Sequence, residues 1–482
     1  YTYLGNMDEQ LYCEAMTDNA YTKQPNDFTQ NIGNGSYSTA DSYVKQVWDG
    51  RYTGIRMCNQ LLENIDRVPD LDPELKKRYI GEAKVLRAYS YYELYTKFGD
   101  IPYTTKVLSI KESMSIARTA KATVIANVLA DLDEVINGNY LPTSYDADNK
   151  GRITRWAAMA IKAKIYLFEG NWTQVKNITS TIMTEGGFKL FGSYAGLFEI
   201  ANEYNSEVIL DAQYRPTSRE HQMMYVFLPP TLGGYSQLSP LQELVDSYIM
   251  LDGKTIKETG TSFDESHPYA NRDPRLKATV MYTGNSYTLA DGTEVVINCE
   301  KGEGKDGYGV GSDCSATGYY IKKYWDNTYR ATLYSGLNPI LIRYADILLM
   351  NAEALAELGE LDKTAWDATI KPIRDRAGFT LASVLEFPEG ASKDKLIEIV
   401  RNERRSELAL EGHRHKDIIR WRIADNVLNG WCHGLKTNDV VGTDDGYVRV
   451  ENRTFNANKH YLWPIPQAER DLNGNLEQNP NW

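Results

Sequence analysis

Two helix hairpins with the same internal spacing constrain this chain more than any other feature of its sequence. The hairpins occupy residues 154–183 and 341–377. Each has an alanine seven residues before the glycine that closes its first helix, Ala163 before Gly170 and Ala352 before Gly359. A small side chain on the inner face lets two helices approach closely, and a terminal glycine ends a helix, as in tetratricopeptide-like units. The spacing therefore predicts an internal repeat of helix pairs.

A single helix pair leaves an apolar face uncovered, so several pairs must stack to form a stable core. Further helical periods lie at 52–98 and 120–137 and supply more pairs. In the stretch 74–98 apolar side chains recur along one stripe, and Gly99 ends the run. With 482 residues, 42% of them hydrophobic, the chain is long enough to bury a large core. We predict a mainly α fold.

The middle of the chain, residues 187–337, interrupts this helical pattern. It is rich in glycine, proline, tyrosine and asparagine, with short β-prone runs such as 207–212, and Asp291-Gly292 predicts a type I′ hairpin turn. The early segment 20–48 is also polar, and we predict that it is poor in helix. Because loops on a rigid scaffold usually carry recognition, we expect these two segments to meet on one face and to bind the ligand.

Tyrosine is the most informative residue type for the ligand, since the chain has 34 tyrosines against 11 phenylalanines. A tyrosine ring is apolar with a polar tip, which suits protein interfaces and sugar sites alike. Aromatic rings can cover the apolar faces of sugars while amides and guanidinium groups bond their hydroxyls. The candidate contacts are Tyr21, Asn26, Tyr37, Tyr235, Tyr269, Asn285, Tyr287, Trp325, Asn327, Tyr329 and Arg330.

Charge and hydropathy exclude two classes of function. The 65 acidic and 53 basic residues leave a net charge of −12 with the basic residues scattered, which opposes binding to nucleic acid. Mean hydropathy is −0.49, and no stretch approaches the roughly 18 apolar residues that a membrane-spanning helix needs. The negative charge also favours neutral glycans over sulfated or uronic ones.

Three short motifs match the consensus sequences of nucleotide or metal sites, but the residues around them do not fit such sites. They are Gly302-x-Gly304-x-x-Gly307, Asp146-x-Asp148-x-x-Gly151 and His413-x-His415. The residues after the first cannot open a helix, the second lacks a carboxylate at its twelfth position, and the histidines point to different sides of a helix. We predict a loop, a turn and structural histidines, with no metal and no cofactor. Of the five cysteines, Cys299 and Cys314 flank this loop and are the only two placed to pair.

The segment 401–414, RNERRSELALEGHR, carries several opposite charges three or four residues apart. One interpretation is a solvated helix. The other is a partly buried network in which arginine and glutamate side chains fix this helix to its neighbours, for which the arginine fork is well suited.

Five long motifs together resemble the SusD/RagB family of Bacteroidetes outer-membrane nutrient-binding lipoproteins. They are GEAKVLRAYSYYELYTKFGDIPY at 81–103, GRITRWAAMAIKAKIYLFEGNW at 151–172, IRYADILLMNAEALAELGE at 342–360, RNERRSELALEGHRHKDIIRW at 401–421 and YLWPIPQAERDLNGNLEQNPNW at 461–482. They follow the family's order and cover nearly the whole chain.

The resemblance implies about four tetratricopeptide-like helix pairs, a shallow glycan site built from loops, and no catalysis. It implies a partner, a SusC-like TonB-dependent transporter, and an N-terminal lipid anchor on the cell surface that would precede Tyr1. We expect an N-terminal region at 1–200 and a RagB/SusD C-terminal region at 201–482, packed as one globule. The alternatives are a peptide-binding RagB-like uptake subunit, a repeat scaffold that binds only protein, and a glycosidase.

Overall fold

The computed structural model describes residues 5–23, 28–329 and 332–482. Its helices are α1 Met7–Tyr12, α2 Phe28–Asn34, α3 Ser42–Asn64, α4 Pro73–Phe98, α5 Ile110–Ser113, α6 Lys121–Asn137, α7 Arg155–Phe168, α8 Trp172–Glu185, α9 Met223–Phe227, α10 Gln242–Ser247, α11 Pro274–Thr279, α12 Tyr344–Leu358, α13 Lys363–Ala368, α14 Ile370–Ala377, α15 Ala382–Leu385, α16 Lys393–Glu407, α17 Arg414–Arg420, α18 Ala424–Val427 and α19 Gln467–Leu472. Its strands are β1 Ala20–Thr22, β2 Val208–Asp211, β3 Leu238–Pro240, β4 Val280–Met281, β5 Ser286–Thr288, β6 Glu294–Val296, β7 Tyr320–Ile321, β8 Ile340–Arg343, β9 Gly430–Lys436, β10 Thr443–Asp444 and β11 Tyr447–Arg453.

The long helices form a continuous array in which each packs on the next. Helix α3 packs on α4, α4 on α6, α6 on α7, α7 on α8, α8 on α12, and α12 on α16. The predicted hairpins are present, since α7 and α8 are joined by three residues and α12 ends at Gly359 with φ of 73°. Ala163 and Ala352 are fully buried between helices. The prediction of a mainly α fold built from helix pairs is confirmed. Among the described helices, none is both long and apolar enough to cross a membrane.

The C-terminal segment closes the core of the N-terminal helices. Trp463 and Ile465 are buried in the same apolar cluster as α3, α4, α6, α7 and α8. The amide of Trp463 donates to the Lys97 carbonyl at the end of α4 (2.7 Å). We propose that the two regions divided near residue 200 form one structural unit, because their side chains share this core.

The middle insertion is held by short antiparallel pairs, including β2 with β8 and β5 with β6. The β5–β6 hairpin forms where Asp291-Gly292 predicted it, but its turn is not type I′. A type I′ turn needs positive φ at both central residues, whereas here Gly292 alone has it, at 83°. The Leu289 amide instead donates to the Thr293 carbonyl and the Gly292 amide to the Leu289 carbonyl (both 2.9 Å), which closes a three-residue loop.

The early segment and the middle insertion do meet, because β1 pairs antiparallel with β3. The Lys23 ammonium also donates to the carbonyl of Cys314 (2.7 Å). The expectation that residues 20–48 are poor in helix is wrong. Helix α3 begins at Ser42, where Asp41 accepts hydrogen bonds from the first free amides, and it carries Trp48 into the core.

The three short motifs have local structural roles. The glycine motif 302–307 lies in a loop, and Asp146 caps a 3-10 turn before α7. His413 precedes α17, with its Nδ1 3.4 Å from the Lys164 ammonium. Among the described residues, no group of three or more His, Cys, Asp or Glu is placed to hold a metal. Cys299 and Cys314 are both buried and are free thiols, as are the other three cysteines.

Helix α16 is anchored by a buried ionic network, so the second interpretation of the charged segment 401–414 is confirmed. Glu403, Glu407 and Glu411 are all less than 5% exposed. Their cationic partners come from four other parts of the chain and are Arg275, Lys323, Arg343, Arg374 and Arg376. The network therefore joins the middle insertion to the helical array.

His433 on β9 lies between two carboxylates and makes stability depend on pH. Its Nδ1 is 2.8 Å from Glu243 Oε1 and its Nε2 is 3.0 Å from Asp444 Oδ2. The other oxygen of Asp444, Oδ1, accepts a hydrogen bond from Arg449. The hydrogen bond with Glu243, aided by Asp444, raises the pKa of His433 above its ordinary value. Only the doubly protonated ring donates to both carboxylates, so the stabilisation is complete below about pH 6.5 and is lost as pH rises through the raised pKa. Over that rise we expect the melting temperature to fall more steeply than in His433→Gln. Parallel melting curves for the two proteins would contradict this assignment.

Candidate ligand-binding site

Three tyrosines from the middle insertion form an exposed aromatic surface, which we call the tyrosine shelf. It consists of Tyr225, Tyr235 and Tyr334. The Tyr225 and Tyr235 rings stack with centroids 5.8 Å apart and planes 14° apart, and Tyr334 meets Tyr225 edge-on at 6.3 Å. Tyr235 is 46% exposed and Tyr334 37%. Large exposed aromatic side chains grouped in this way form a candidate binding surface.

The loop that follows α9 places Tyr235 on Tyr225. The Tyr235 amide donates to the Tyr225 carbonyl (2.8 Å), so the chain folds back on the helix it has just left. Gly233 turns the chain at φ of 86°, and at Gly234 a Cβ would lie 2.1 Å from the Leu228 carbonyl oxygen. Two consecutive glycines are thus required for the stacked pair.

Tyr334 is positioned by its neighbour in the chain. Ser335 exchanges two backbone hydrogen bonds with His221, just before α9. Burial lowers the pKa of His221 to about 4, so its ring is neutral at pH 7 and Nε2–H donates to the Leu337 carbonyl (3.2 Å). The segment that carries Tyr334 is therefore paired with a neutral histidine whose ring is itself hydrogen-bonded.

An open cleft of about 640 Å³ adjoins the shelf, and the two share the loop from Pro230 to Tyr235. Its other walls are the β5–β6 hairpin, Lys305 and the turn that begins at Asn327. Asp306 fixes the shared loop, since its two carboxylate oxygens accept from the amide and the hydroxyl of Thr231 (2.8 and 2.6 Å). The volume lies within the 300–1,000 Å³ typical of ligand pockets.

The lining of the cleft suits binding through hydroxyl and amide groups. Thr231, Asn327 and Thr328 line it together with apolar loop atoms. Asp291 is the one carboxylate among the described residues of the lining. A glycosidase places two carboxyl groups across the bond it cleaves, and this lining does not form such a pair.

The structure brings two of the predicted contacts to this site and places a third behind it. Tyr235 belongs to the shelf, and Asn327 is exposed on the cleft wall. Trp325 is half-buried, with Nε1–H donating to the Thr288 carbonyl (2.8 Å). Tyr329 ends the 3-10 turn Asn327–Tyr329. Asn26 and Arg330 lie outside the described residues.

Three predicted contacts are corrected, because they are buried. Tyr37 packs against His460 and Trp482. Tyr287 is fully buried, with its hydroxyl donating to the Ile321 carbonyl, and the Asn285 amide donates to two carbonyls of the α11 and β4 region. Tyr287 and Asn285 satisfy their polar groups inside the protein, and none of the three side chains has an exposed surface for a ligand.

Two further predicted contacts are half-buried and do not line the cleft. The Tyr21 hydroxyl accepts a hydrogen bond from Gln30 (3.3 Å). The Tyr269 ring stacks on Tyr282 at 4.0 Å.

Sequence reasoning missed Tyr225 and Tyr334. Tyr225 lies in an apolar helix, and Tyr334 owes its position to a β-bridge with a residue more than a hundred positions earlier. The one local signal was Gly233-Gly234 directly before Tyr235, which indicates a tight reversal of the chain.

Comparison with known proteins gives a consistent assignment across the chain. The family model described as "SusD family" matches residues 197–482, and the one described as "Starch-binding associating with outer membrane" matches residues 3–167. A SusD-like protein of Formosa agariphila is 28% identical over 409 residues, which covers 80% of this chain and 71% of the relative. A SusD-like carbohydrate-binding protein of Bacteroides fragilis is 29% identical with a TM-score of 0.86, covering 97% of this chain and 92% of that protein. A second SusD-like protein of B. fragilis is 27% identical with a TM-score of 0.85, covering 99% of this chain and 94% of that protein.

Proposed function

The chain belongs to the SusD family, and on that premise we propose that it is a non-catalytic, cell-surface glycan-binding subunit for nutrient uptake. The observation that carries the proposal is the tyrosine shelf, in which the exposed Tyr235 stacks on the half-buried Tyr225 and Tyr334 meets Tyr225 edge-on. The neighbouring cleft is lined by hydroxyl and amide groups together with Asp291 and Lys305. Stacked rings offer flat apolar faces to sugar rings, and the polar lining bonds hydroxyls. The similar protein of B. fragilis that is described as carbohydrate-binding supports the same ligand class.

The open form of the site suits capture and release. A shallow aromatic surface with water-mediated hydrogen bonds binds its ligand with modest affinity and exchanges it rapidly. A subunit that passes its ligand to a transporter requires both properties. We infer that the receiver is a SusC-like TonB-dependent transporter and that a lipid anchor holds this chain at the outer membrane. The family description of association with the outer membrane supports the second inference.

Calorimetry against a panel of neutral polysaccharides tests this function. We expect saturable heat with at least one neutral glycan and no release of reducing ends over a long incubation. Heat with peptides and none with glycans would instead favour peptide uptake. Reducing ends released in proportion to protein would overturn the non-catalytic assignment.

A further inference from the structure

A cavity of about 90 Å³ lies between parts of α1, α4, α7 and α17, and none of the shelf tyrosines lines it. This volume is enough for several water molecules or for one compact ion. The charged and imidazole side chains of the cavity are Glu9, Glu93, Lys97, Lys164, Glu411, His413, His415 and Lys416. Lys164 is paired with the buried Asp346 (2.5 Å).

Two ammonium groups share one carboxylate at this cavity. The Lys97 Nζ lies 2.7 Å from Glu93 Oε2, and the Lys416 Nζ lies 2.9 Å from Glu93 Oε1. The side chains of Glu93 and Lys97 are less than 10% exposed, and that of Lys416 is 26% exposed. The cluster therefore holds one positive charge more than its carboxylate balances, in a setting where water screens little.

The remaining carboxylates of the lining do not remove this excess. Glu9 is paired with Arg51. Glu411 is held by Arg343 and Lys323 in the buried network. Each of these acids is already matched by at least one cation of its own.

Burial is the main cause of the lowered pKa values of Lys97 and His415, whereas Glu93 raises the pKa of Lys416 against the effect of burial. Burial lowers the pKa of Lys97, and the charge of Lys416 acts in the same direction. Burial, with Lys97 and Lys416, lowers the pKa of His415 to about 3, so its ring is neutral at pH 7. A neutral imidazole keeps one N–H donor, and an ammonium group has three.

We propose that this cavity binds a small tetrahedral oxyanion, inorganic phosphate or sulfate, through Lys97, Lys416 and His415. Such an ion more than offsets the excess charge of the two lysines and accepts charge-assisted hydrogen bonds from them. Because the ion joins α4 to α17, its binding stabilises the packing of these helices in the folded protein.

Calorimetry and thermal unfolding with sodium phosphate and sodium sulfate, at ionic strength held constant with sodium chloride, test the proposal. We expect saturable binding and a rise in melting temperature that follows ligand concentration. Lys416→Met removes one cation but leaves Glu93 paired with Lys97, and we expect it to weaken binding at least tenfold. His415→Asn provides a second variant that keeps the charge of both lysines, and it too should weaken binding.

Lys395→Met is the matched control, because Lys395 makes an exposed pair with Glu398 on α16 and does not line the cavity. It should bind the oxyanion as the unaltered protein does. The proposal is overturned if the unaltered protein shows no saturable binding of either ion, or if Lys416→Met and His415→Asn both bind as tightly as Lys395→Met. These outcomes are independent of glycan binding, which depends on the shelf.

Discussion

Replacing Arg343 by methionine is expected to lower the free energy of unfolding by about 3–5 kcal/mol, the range for removing one partner from a buried ion pair. Its guanidinium group contacts three carboxylates at 2.6–2.7 Å, those of Glu207, Glu407 and Glu411, and it also donates to the Glu407 carbonyl. All four residues are at most 4% exposed. Methionine fills part of the space but leaves these carboxylates with less neutralisation in the interior.

Glu407 and Glu411 are ionised at neutral pH, because neighbouring cations lower their pKa values, and this makes the expected loss large. Burial alone would raise the pKa of Glu407, but the guanidinium groups of Arg376, Arg343 and Arg275 hold it at about 2. An ionised group in the interior is costly unless paired, and the pairs here connect the middle insertion to α16.

Denaturant unfolding followed by tryptophan fluorescence measures the effect. Arg343→Lys keeps the charge but not the planar fork, so it should lose less stability than Arg343→Met. Lys363→Met, at an exposed pair with Asp367, should leave the transition unchanged. A loss below about 1 kcal/mol in Arg343→Met would mean that the network contributes little to stability, as exposed pairs do.

Replacing Tyr235 by alanine is expected to weaken glycan binding at least tenfold, equivalent to about 1.4 kcal/mol or more, without unfolding the protein. The substitution removes the more exposed ring of the stacked pair and with it the flat face offered to a sugar. Because nearly half of this side chain is exposed, its loss should change stability little. Tyr334→Ala should weaken binding in the same direction by removing the edge-on ring.

The control for this experiment is Trp431→Ala. Trp431 is 44% exposed, close to Tyr235, but it lies on β9 with Arg449 over its ring and does not line the cleft. Calorimetry with the glycan that binds best should give an unchanged affinity for this variant. Equal affinity in Tyr235→Ala, Tyr334→Ala and the unaltered protein would remove the shelf as the binding site.

The family assignment and the helical frame were readable from the sequence because their signals are local. Helix pairs depend on a 3.6-residue apolar period, on small residues such as Ala163 and Ala352 at the helix interface, and on terminal glycines. The sequence predicted only one side of the buried network, because the regular spacing of charges in 401–414 is a local signal. Their partners Arg275 and Arg343 lie more than sixty residues away, and the sequence did not predict them.

The candidate site was only partly readable, and the reason is physical. A tyrosine side chain is stable both in the core and on the surface, because its ring is apolar and its hydroxyl needs a single hydrogen-bond partner. Tyr287 found that partner inside the protein, whereas Tyr235 remained exposed.

By itself, then, the sequence determined the repeated helix pairs, the loop-rich insertion and the family. Only the tertiary structure decided which rings face solvent and stand together, because the shelf joins Tyr225 and Tyr235 to Tyr334 about a hundred residues later. That contact depends on the pairing of distant backbone at His221 and Ser335, and no local periodicity encodes such a pairing.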